Sequence, residues 1–238
     1  MSKPIYIPKS KLEKLYKEHT KKEIATICGC GLWTINKLFK EYDIKIDKSK
    51  GKNVTINQTI KDVAIGSLLG DGNIDKRCLN IAHSIKQKEY LEYKLNLIAH
   101  ICNGKIYDRK EKGKIVSHRI RTYHHDYFGK LKNEWYKEKK TIPINIEAYL
   151  TPLAVAIWYM DDGGLRGKES ARIATCSFEK EEVELLSQAL NNRYGLNSRV
   201  MKECKYYTIY IPKKSFLIFR EIIRPYVPGC MQYKLSKV

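Results

Sequence analysis

Two aspartates, each followed by glycine, stand where an apolar run of small residues ends. Asp71 closes the run that starts at Ala64, and Asp162 closes the run that starts at Val155. The C-terminal end of a helix disfavours negative charge, so an acid at each position needs a compensating partner. Two facing carboxylates also repel, and a hard divalent cation with oxygen ligands relieves that repulsion. The pair therefore predicts a shared metal site, with Mg²⁺ as the expected ion and Mn²⁺ as a substitute.

A lysine beside a short apolar segment follows each acid at nearly the same distance along the chain. Lys140 precedes Thr141-Ile142-Pro143, and Lys234 precedes Leu235. A divalent metal can activate water for attack on a phosphate, and a lysine can offset charge on that phosphate or polarise the water. These acids and lysines predict phosphodiester hydrolysis. The simpler alternative is that both aspartates only cap glycine turns.

The overall charge favours a polyanionic partner. Lys and Arg number 45 against 26 Asp and Glu, a net charge of +19 that is spread along the chain. Such a dispersed excess favours nucleic acid over an acidic protein, the alternative being a merely solvated basic surface. The seven cysteines show no zinc-ligand spacing, and neither a secretory signal nor a long apolar span occurs. We therefore expect an intracellular protein with reduced cysteines and no membrane partner.

Residues 1–46 are predicted to form a separate helical unit. Helical spacing runs over 9–18 and 32–42, with a short helix between them that Thr20 opens as a capping residue. A helix, a glycine turn and a second helix are typical of helix-turn-helix DNA-binding units, although a three-helix cap gives the same pattern. The exposed early positions of the last helix that could meet bases are Trp33, Thr34, Asn36 and Lys37. Polar, basic residues 47–57 are predicted to be a linker.

The rest of the chain repeats one programme twice, over halves of about 58–145 and 146–238. After each acid comes an alternating strand, an amphipathic helix, further strands and a closing helix. The predicted strands are 79–83, 114–123, 172–176, 198–202 and 206–211, and the predicted helices are 88–102, 124–136, 180–194 and 213–226. An internal duplication predicts a pseudo-twofold α+β structure.

Glycines in the two apolar runs predict how the halves meet. Gly66 and Gly70 share one helical face and would allow close backbone approach, so that both helix ends and both acids lie on one side. Gly72 and Gly163 are expected to supply the left-handed residue that ends each helix.

These features resemble the LAGLIDADG homing endonucleases of the single-chain, two-motif kind. The resemblance covers about residues 58–238 and is carried by segments 139–143, 149–152, 158–164 and 233–235, with Ser177-Phe178 between them. It implies two αββαββα units whose antiparallel sheets form a saddle over the DNA major groove. It also implies a monomer that cuts both strands of a long site and leaves short 3′ overhangs.

The resemblance assigns roles to single positions. It implies that Asp71 and Asp162 are metal-binding catalytic acids, that Lys140 and Lys234 are active-site lysines, and that the carbonyls of Gly70 and Asp161 also coordinate metal. Asp161 itself is a second acid, expected to help set the helix end. Ala82 and Cys176 are departures, because the family often has a polar residue on the strand near each metal.

Strand alternation predicts which side chains read DNA. Arg119 and Arg121 share a face with Ser117 and Tyr123, and the comparable residues of the second half are Arg172, Arg199, Lys202 and Lys205. Arginine can bind guanine bidentately, whereas most lysines contact phosphate. His83, His124 and His125 could transfer protons, but packing or surface roles are the ordinary fate of such residues.

The sequence therefore predicts a Mg²⁺-dependent, site-specific endonuclease of double-stranded DNA. Two alternatives remain: a DNA-binding regulator that does not cut, and an RNA maturase that binds intron RNA and aids splicing. The composition suits the cytoplasm of a prokaryote or phage-infected cell, or an organelle matrix.

Overall fold

A computed structural model describes residues 6–19, 21–44, 54–167 and 169–236 of the chain. Its contacts divide the chain into two compact units, Met1–Lys48 and Ser49–Val238. Thr20 and residues 47–53 of the predicted linker lie outside the described residues. None of the described helices is both long and apolar enough to cross a lipid bilayer.

The described residues of the first unit form three helices around a small apolar core. They are α1 (Lys9–Glu18), α2 (Lys21–Ile27) and α3 (Leu32–Glu41). Leu12, Ile24, Ile35 and Phe39 are buried between them, which agrees with the helical spacing. Ile27, the last residue of α2, is 52% exposed.

The first half of the second unit contains three helices and one sheet. In chain order its elements are α4 (Gln58–Leu69), β1 (Gly72–Asp75), β2 (Cys78–Ser84), α5 (Lys88–Leu97), β3 (Tyr107–Glu111), β4 (Lys114–Arg121) and α6 (Asp126–Trp135). The antiparallel strands lie in the order β1-β2-β4-β3.

The second half follows a short helix, α7 (Ile146–Tyr149), and repeats the arrangement. Its elements are α8 (Pro152–Asp162), β5 (Gly163–Arg166), β6 (Ser170–Ala174), α9 (Lys180–Tyr194), β7 (Arg199–Glu203), β8 (Tyr206–Ile211) and α10 (Lys213–Ile223). The strand order β5-β6-β8-β7 matches that of the first half. The predicted α+β fold of two pseudo-symmetric units is therefore confirmed.

Helices α4 and α8 pack on each other at the seam between the halves. A Cβ atom on Gly66 would lie 2.4 Å from the carbonyl oxygen of Ala154 and 2.7 Å from the Cβ of Ile157. Real Cβ atoms do not approach so closely, so only glycine allows this contact. The expectation of close backbone approach is confirmed, and it brings the C-terminal ends of both helices together.

The expectation that Gly72 and Gly163 adopt a left-handed conformation is wrong. Gly163 has φ −85° and ψ 162°, and both glycines begin extended strands. They are needed for space instead: a Cβ on Gly72 would lie 2.7 Å from the Cβ of Ser67, and one on Gly163 would lie 2.1 Å from the ring of Tyr159.

Several predicted boundaries also shift. The helix predicted over 88–102 ends at Leu97, after which a 3₁₀ turn spans Ala99–Ile101. The strand predicted over 172–176 is Ser170–Ala174, and the closing helices end at Trp135 and Ile223. Strands β1, β3 and β5 were not predicted. β1 and β5 have only four residues each, and the five residues of β3 are all exposed and show no alternation.

Candidate metal centre and nucleic-acid interface

The two helix ends place the predicted acids at one seam. A Cβ on Gly70 would lie 2.5 Å from the Cβ of Asp161, and the backbone N–H of Asp71 donates to Asp161 Oδ2 at 3.1 Å. Asp71 and Asp162 follow these two residues directly. The acids of the two halves are therefore neighbours, as the sequence predicted.

Their electrostatics differ. Burial and the nearby charges of Asp71 and Asp161 raise the pKa of Asp162 to about 7. Burial acts in the same direction on Asp71, but the pKa of Asp71 is nevertheless lowered because His83, Lys94 and Lys234 lie close to it. Crowded carboxylates of this kind relieve their repulsion by binding a cation or a proton.

The donors at the seam suit a hard divalent cation. The groups are the carboxylates of Asp71 and Asp162 and the carbonyls of Gly70 and Asp161, all of them oxygen ligands such as Mg²⁺ prefers. The raised pKa of Asp162 shows that this carboxylate gains from added positive charge. The residues present therefore fit the metal that the sequence predicts.

Both predicted lysines lie at the same seam. Lys140 Nζ donates to the carbonyls of Gly70 at 3.4 Å and Gly72 at 3.2 Å. Lys234 Nζ donates to the carbonyl of Met160, and to that of Asp161 at 3.2 Å. Burial lowers the pKa of Lys140 to about 8 and also lowers that of Lys234, although the acids oppose both shifts. Each half thus contributes one lysine beside the acid pair.

Asp161 does more than end its helix. Its side chain is fully buried, and Lys94 Nζ lies 2.7 Å and 2.9 Å from its two carboxylate oxygens. The hydroxyl of Tyr90 donates to Asp161 Oδ1 at 2.8 Å. Burial and the charge of Asp161 raise the pKa of Tyr90 well above its ordinary value, so this tyrosine remains a neutral donor.

The sequence pattern did not predict a role at the site for Lys94 or Tyr90. The available signal is their position in α5, where Tyr90, Leu91, Lys94 and Leu95 are the buried residues. A lysine at a position that helical spacing assigns to the core is a candidate for a buried ion pair, since lysine is almost never buried without a partner.

His83 lies beneath the acid pair. Its side chain is buried, with Nδ1 3.2 Å from Asp71 Oδ2 and Nε2 3.8 Å from Asp161 Oδ1. Within the described part of the chain, neither ring nitrogen makes a hydrogen bond of ordinary geometry. One ligand atom from each of these three residues lies within 4.8 Å of the others, a grouping that could itself hold a metal ion. Lys94 already compensates the charge of Asp161 there.

The exposed face of the first sheet carries the two predicted arginines. Tyr107, Arg119 and Ala82 are aligned across three strands, and Arg121 and Asn80 form the neighbouring row. Arg121 Nη2 donates to Asp75 at 3.2 Å. These residues line one groove, which also contains Asp71. The face that could read bases is therefore continuous with the acid pair.

The second sheet shares this arrangement only in part. Arg172, Tyr210 and Arg199 are aligned across three strands and share one face. Lys202 pairs with Tyr207, and its odd spacing from Arg199 places it on the opposite face, so the four residues do not form one surface as expected. Lys205 lies in the turn between β7 and β8.

The register also corrects one departure from the family pattern. Gly72 pairs with Ile81, and Gly163 pairs with Ile173. The position equivalent to Ala82 is therefore Ala174, not Cys176.

In the first unit, α3 presents its early residues to solvent. Trp33 is 74% exposed, with Lys37 Nζ 5.6 Å from the centre of its ring. Asn36 is exposed and accepts a hydrogen bond from Lys21 Nζ at 3.2 Å, whereas Thr34 is half-buried. The flat face of an exposed tryptophan beside a cation is suited to stacking on a nucleic-acid base.

Comparisons with known proteins agree with this geometry. The model of the LAGLIDADG DNA endonuclease family matches residues 61–219. The chain is 34% identical, over 85% of its length, to the cytochrome b mRNA maturase bI2 of Saccharomyces cerevisiae, of which it covers 54%. It is 31% identical, over 86% of its length, to the probable intron-encoded endonuclease 1 of Wickerhamomyces canadensis, of which it covers 93%. The chain thus spans about half of the maturase and nearly all of the endonuclease.

A solved structure supports the same relationship. The homing endonuclease I-WcaI bound to its DNA recognition sequence superposes with a TM-score of 0.70 and 29% identity. The match covers 79% of this chain and 91% of that one.

Proposed function

Because the chain belongs to the LAGLIDADG DNA endonuclease family, we propose that it is a site-specific homing endonuclease that hydrolyses both strands of a long DNA site. The observation that carries the proposal is the meeting of two acids and two lysines, one of each from each half, at the seam of α4 and α8. A protein that only binds DNA has no need of this arrangement. A single chain supplies both half-sites, so we expect it to act as a monomer.

Asp71 and Asp162, with the carbonyls of Gly70 and Asp161, would hold the metal, for which we propose Mg²⁺ with Mn²⁺ as a substitute. When bound, the ion supplies an activated water and Lewis-acid stabilisation of the phosphate at which charge develops. The role of the carboxylates is to fix that charge in a partly buried site, where electrostatic interactions are stronger than in water.

Lys140 and Lys234 would act on the phosphate and the attacking water. The lowered pKa of Lys140, about 8, leaves it mostly protonated at neutral pH. It can therefore donate to a phosphate oxygen, and loss of its proton costs less than for an exposed lysine. Lys234 lies beside the acids in the same way, which supports one lysine for each strand.

For DNA recognition we propose Arg119 and Arg121 in the first half and Arg172 and Arg199 in the second. Each pair lies on one face of its sheet, and arginine on such a surface can take guanine bidentately. Lys202 and Lys205 stand apart from this face and would contact phosphate. We further propose that α3 of the first unit, through Trp33, Thr34, Asn36 and Lys37, adds contacts outside the core site as a helix-turn-helix unit.

A second candidate function is favoured by one observation. The relative with 34% identity is a cytochrome b mRNA maturase, so an RNA-directed role in splicing is an alternative to DNA cleavage or an addition to it. A regulator that binds DNA without cutting is the third candidate.

The test uses the full chain and a randomised DNA library with Mg²⁺. We expect the wild-type protein to cut a recoverable site, and Asp71→Asn or Asp162→Asn to lose at least about 10²–10³-fold in cleavage rate while DNA affinity is kept. Asp126→Asn is the matched control, because Asp126 is an exposed acid of α6 that pairs with Arg77 at the surface. Binding without cleavage under every metal condition would overturn the proposal in favour of a regulator. Acceleration of splicing by a protein that cuts no DNA would favour the maturase.

A further inference from the structure

The two halves of the second unit are not equivalent behind their acids. Pairing of Gly72 with Ile81 and of Gly163 with Ile173 makes these two isoleucines equivalent, so Thr175 occupies the place of His83. Thr175 is buried and donates its hydroxyl proton to the carbonyl of Tyr207 at 2.6 Å. The second half therefore has no imidazole beneath its acid.

The residue that precedes each acid also differs between the two halves. Asp161 occupies the place of Gly70, since each directly precedes the acid of its half. Its carboxylate reaches across the seam to Lys94 and Tyr90, both on α5 of the first half. Gly70 has no side chain with which to return the contact, and a Cβ there would collide with Asp161. Lys94 is the seventh residue of α5 and buried Leu186 is the seventh residue of α9, so Leu186 occupies the place of Lys94 in the second half.

As a result, Asp71 is held from two sides and Asp162 is not. The N–H of Asp71 donates to Asp161 Oδ2 at 3.1 Å, and its Oδ2 lies 3.2 Å from His83 Nδ1. In the part of the chain that the structure describes, the Asp162 carboxylate has neither a hydrogen bond nor an ion pair. Groups that orient a metal-binding carboxylate commonly change metal affinity or rate by 10–100-fold when they are removed.

We propose that His83 and the Asp161–Lys94 pair are positioning residues for Asp71, and that the protein therefore cuts its two strands at unequal rates. The strand that depends on Asp71 is cut first, because its acid is already oriented in the free protein. The other strand is cut later, because the Asp162 carboxylate lacks such contacts with the described residues of the free protein. This inference rests on the proposed endonuclease function.

The cleavage test uses a supercoiled plasmid with one target site and separate end labels on the two strands. Wild-type protein is expected to accumulate nicked circles before linear DNA, with one strand cut first. His83→Phe keeps an aromatic ring at this position but removes both nitrogens. It should slow cleavage of that strand by about 10-fold or more and change the cleavage rate of the other strand by less than about 3-fold. His83→Asn should restore part of the rate, because an amide N–H at this position can donate to Asp71 in place of the imidazole contact. Thr175→Val, at the equivalent place in the second half, should leave the order of cutting unchanged.

A second measurement does not depend on cleavage. Mn²⁺ binding to the protein, followed by electron paramagnetic resonance, should be weakened by about 10-fold in His83→Phe and unchanged in Thr175→Val. Equal slowing of both strands by His83→Phe, or unchanged Mn²⁺ affinity, would overturn the inference and leave the endonuclease proposal standing. Absence of any cleavage by the wild-type protein would instead overturn the proposed function.

Discussion

Beside the seam between α4 and α8, the interior of the first half is polar at two positions where that of the second half is apolar. Ser67 and Lys94 are fully buried in the first half, and their equivalents by position, Trp158 and Leu186, are fully buried in the second. The fold thus tolerates a buried charge in one copy, since the other copy supplies Asp161 as its partner. Two halves that share one topology can therefore differ in the polarity of their interiors.

The position held by Lys94 in one half and Leu186 in the other has one role in the fold and, in the first half only, a second role at the site. In both copies this position takes a side chain that fills buried space, and Leu186 does so by packing alone. Lys94 fills the same space and in addition compensates a carboxylate that contacts the backbone of Asp71. Substitutions at the two positions should therefore have different consequences.

The largest effect is expected for Lys94→Met. The substitution keeps the volume of the side chain but leaves Asp161 buried without its cation, which costs about 3–5 kcal/mol of unfolding free energy. The double variant Lys94→Met/Asp161→Asn should recover most of this loss, because the amide oxygen still accepts from the N–H of Asp71. Unfolding by urea measures both variants. If the single variant were as stable as the wild type, the pair would not be what makes the two halves differ.

An intermediate effect is expected for Gly66→Ala. A helix interior gains about 1 kcal/mol when glycine becomes alanine. Here the new Cβ would lie 2.4 Å from the backbone carbonyl of Ala154, which cannot move without shifting α8. Overpacking of this kind costs about 1–3 kcal/mol, so we expect a net loss of stability and a lower midpoint of thermal unfolding.

Gly164→Ala is the matched control for that prediction. No atom of the residues that the structure describes lies within 4 Å of a Cβ placed there, so a change within about 0.5 kcal/mol is expected. Equal midpoints for the two variants would show that α4 can move away from α8 without cost.

Much of the fold could be predicted from sequence pattern. The bounds of Lys180–Tyr194 and Tyr206–Ile211 were predicted to the residue, because each has a strong period and a clear end. Strand β3 was missed because no face of it is buried, so its residues carry no alternation. Patterning follows burial, and an edge strand open on both faces shows none.

The candidate site divides in the same way. Both acids and both lysines could be found from their repeated spacing, since duplication places equal residues at equal positions. The partners of Asp161 could not be found so, because Lys94 and Tyr90 have no counterparts in the other half. Repeated spacing cannot predict a contact that only one half makes. The wrong expectation for Gly72 and Gly163 has a related cause, because these two glycines are required by neighbouring side chains in space rather than by the local backbone conformation.

The smallest effect is expected for Asp62→Asn. This substitution tests the difference in polarity between the two halves at a position of α4 away from the acid pair. Asp62 of α4 is buried and accepts a hydrogen bond from Gln58 Nε2 at 2.7 Å, whereas its equivalent on α8 is the apolar Leu153. Burial raises the pKa of Asp62, although hydrogen bonds from Gln58 and Thr151 oppose the shift. The folded protein therefore holds this proton at a higher pH than the unfolded chain does.

The sign of the effect follows from that difference. Between the unfolded and the raised folded pKa, stability falls as pH rises, and the loss is complete above the folded value. Asp62→Asn removes this dependence while its amide oxygen still accepts from Gln58. The variant should therefore gain stability relative to the wild type as pH rises from 4 to 8, by less than the losses expected for Lys94→Met and Gly66→Ala. Urea unfolding at several pH values, without divalent metal, measures the gain. If the difference in unfolding free energy between variant and wild type stayed constant or reversed with pH, the first half would accommodate the buried Asp62 carboxylate without cost. Its polar interior would then not be confined to the pair at Asp161.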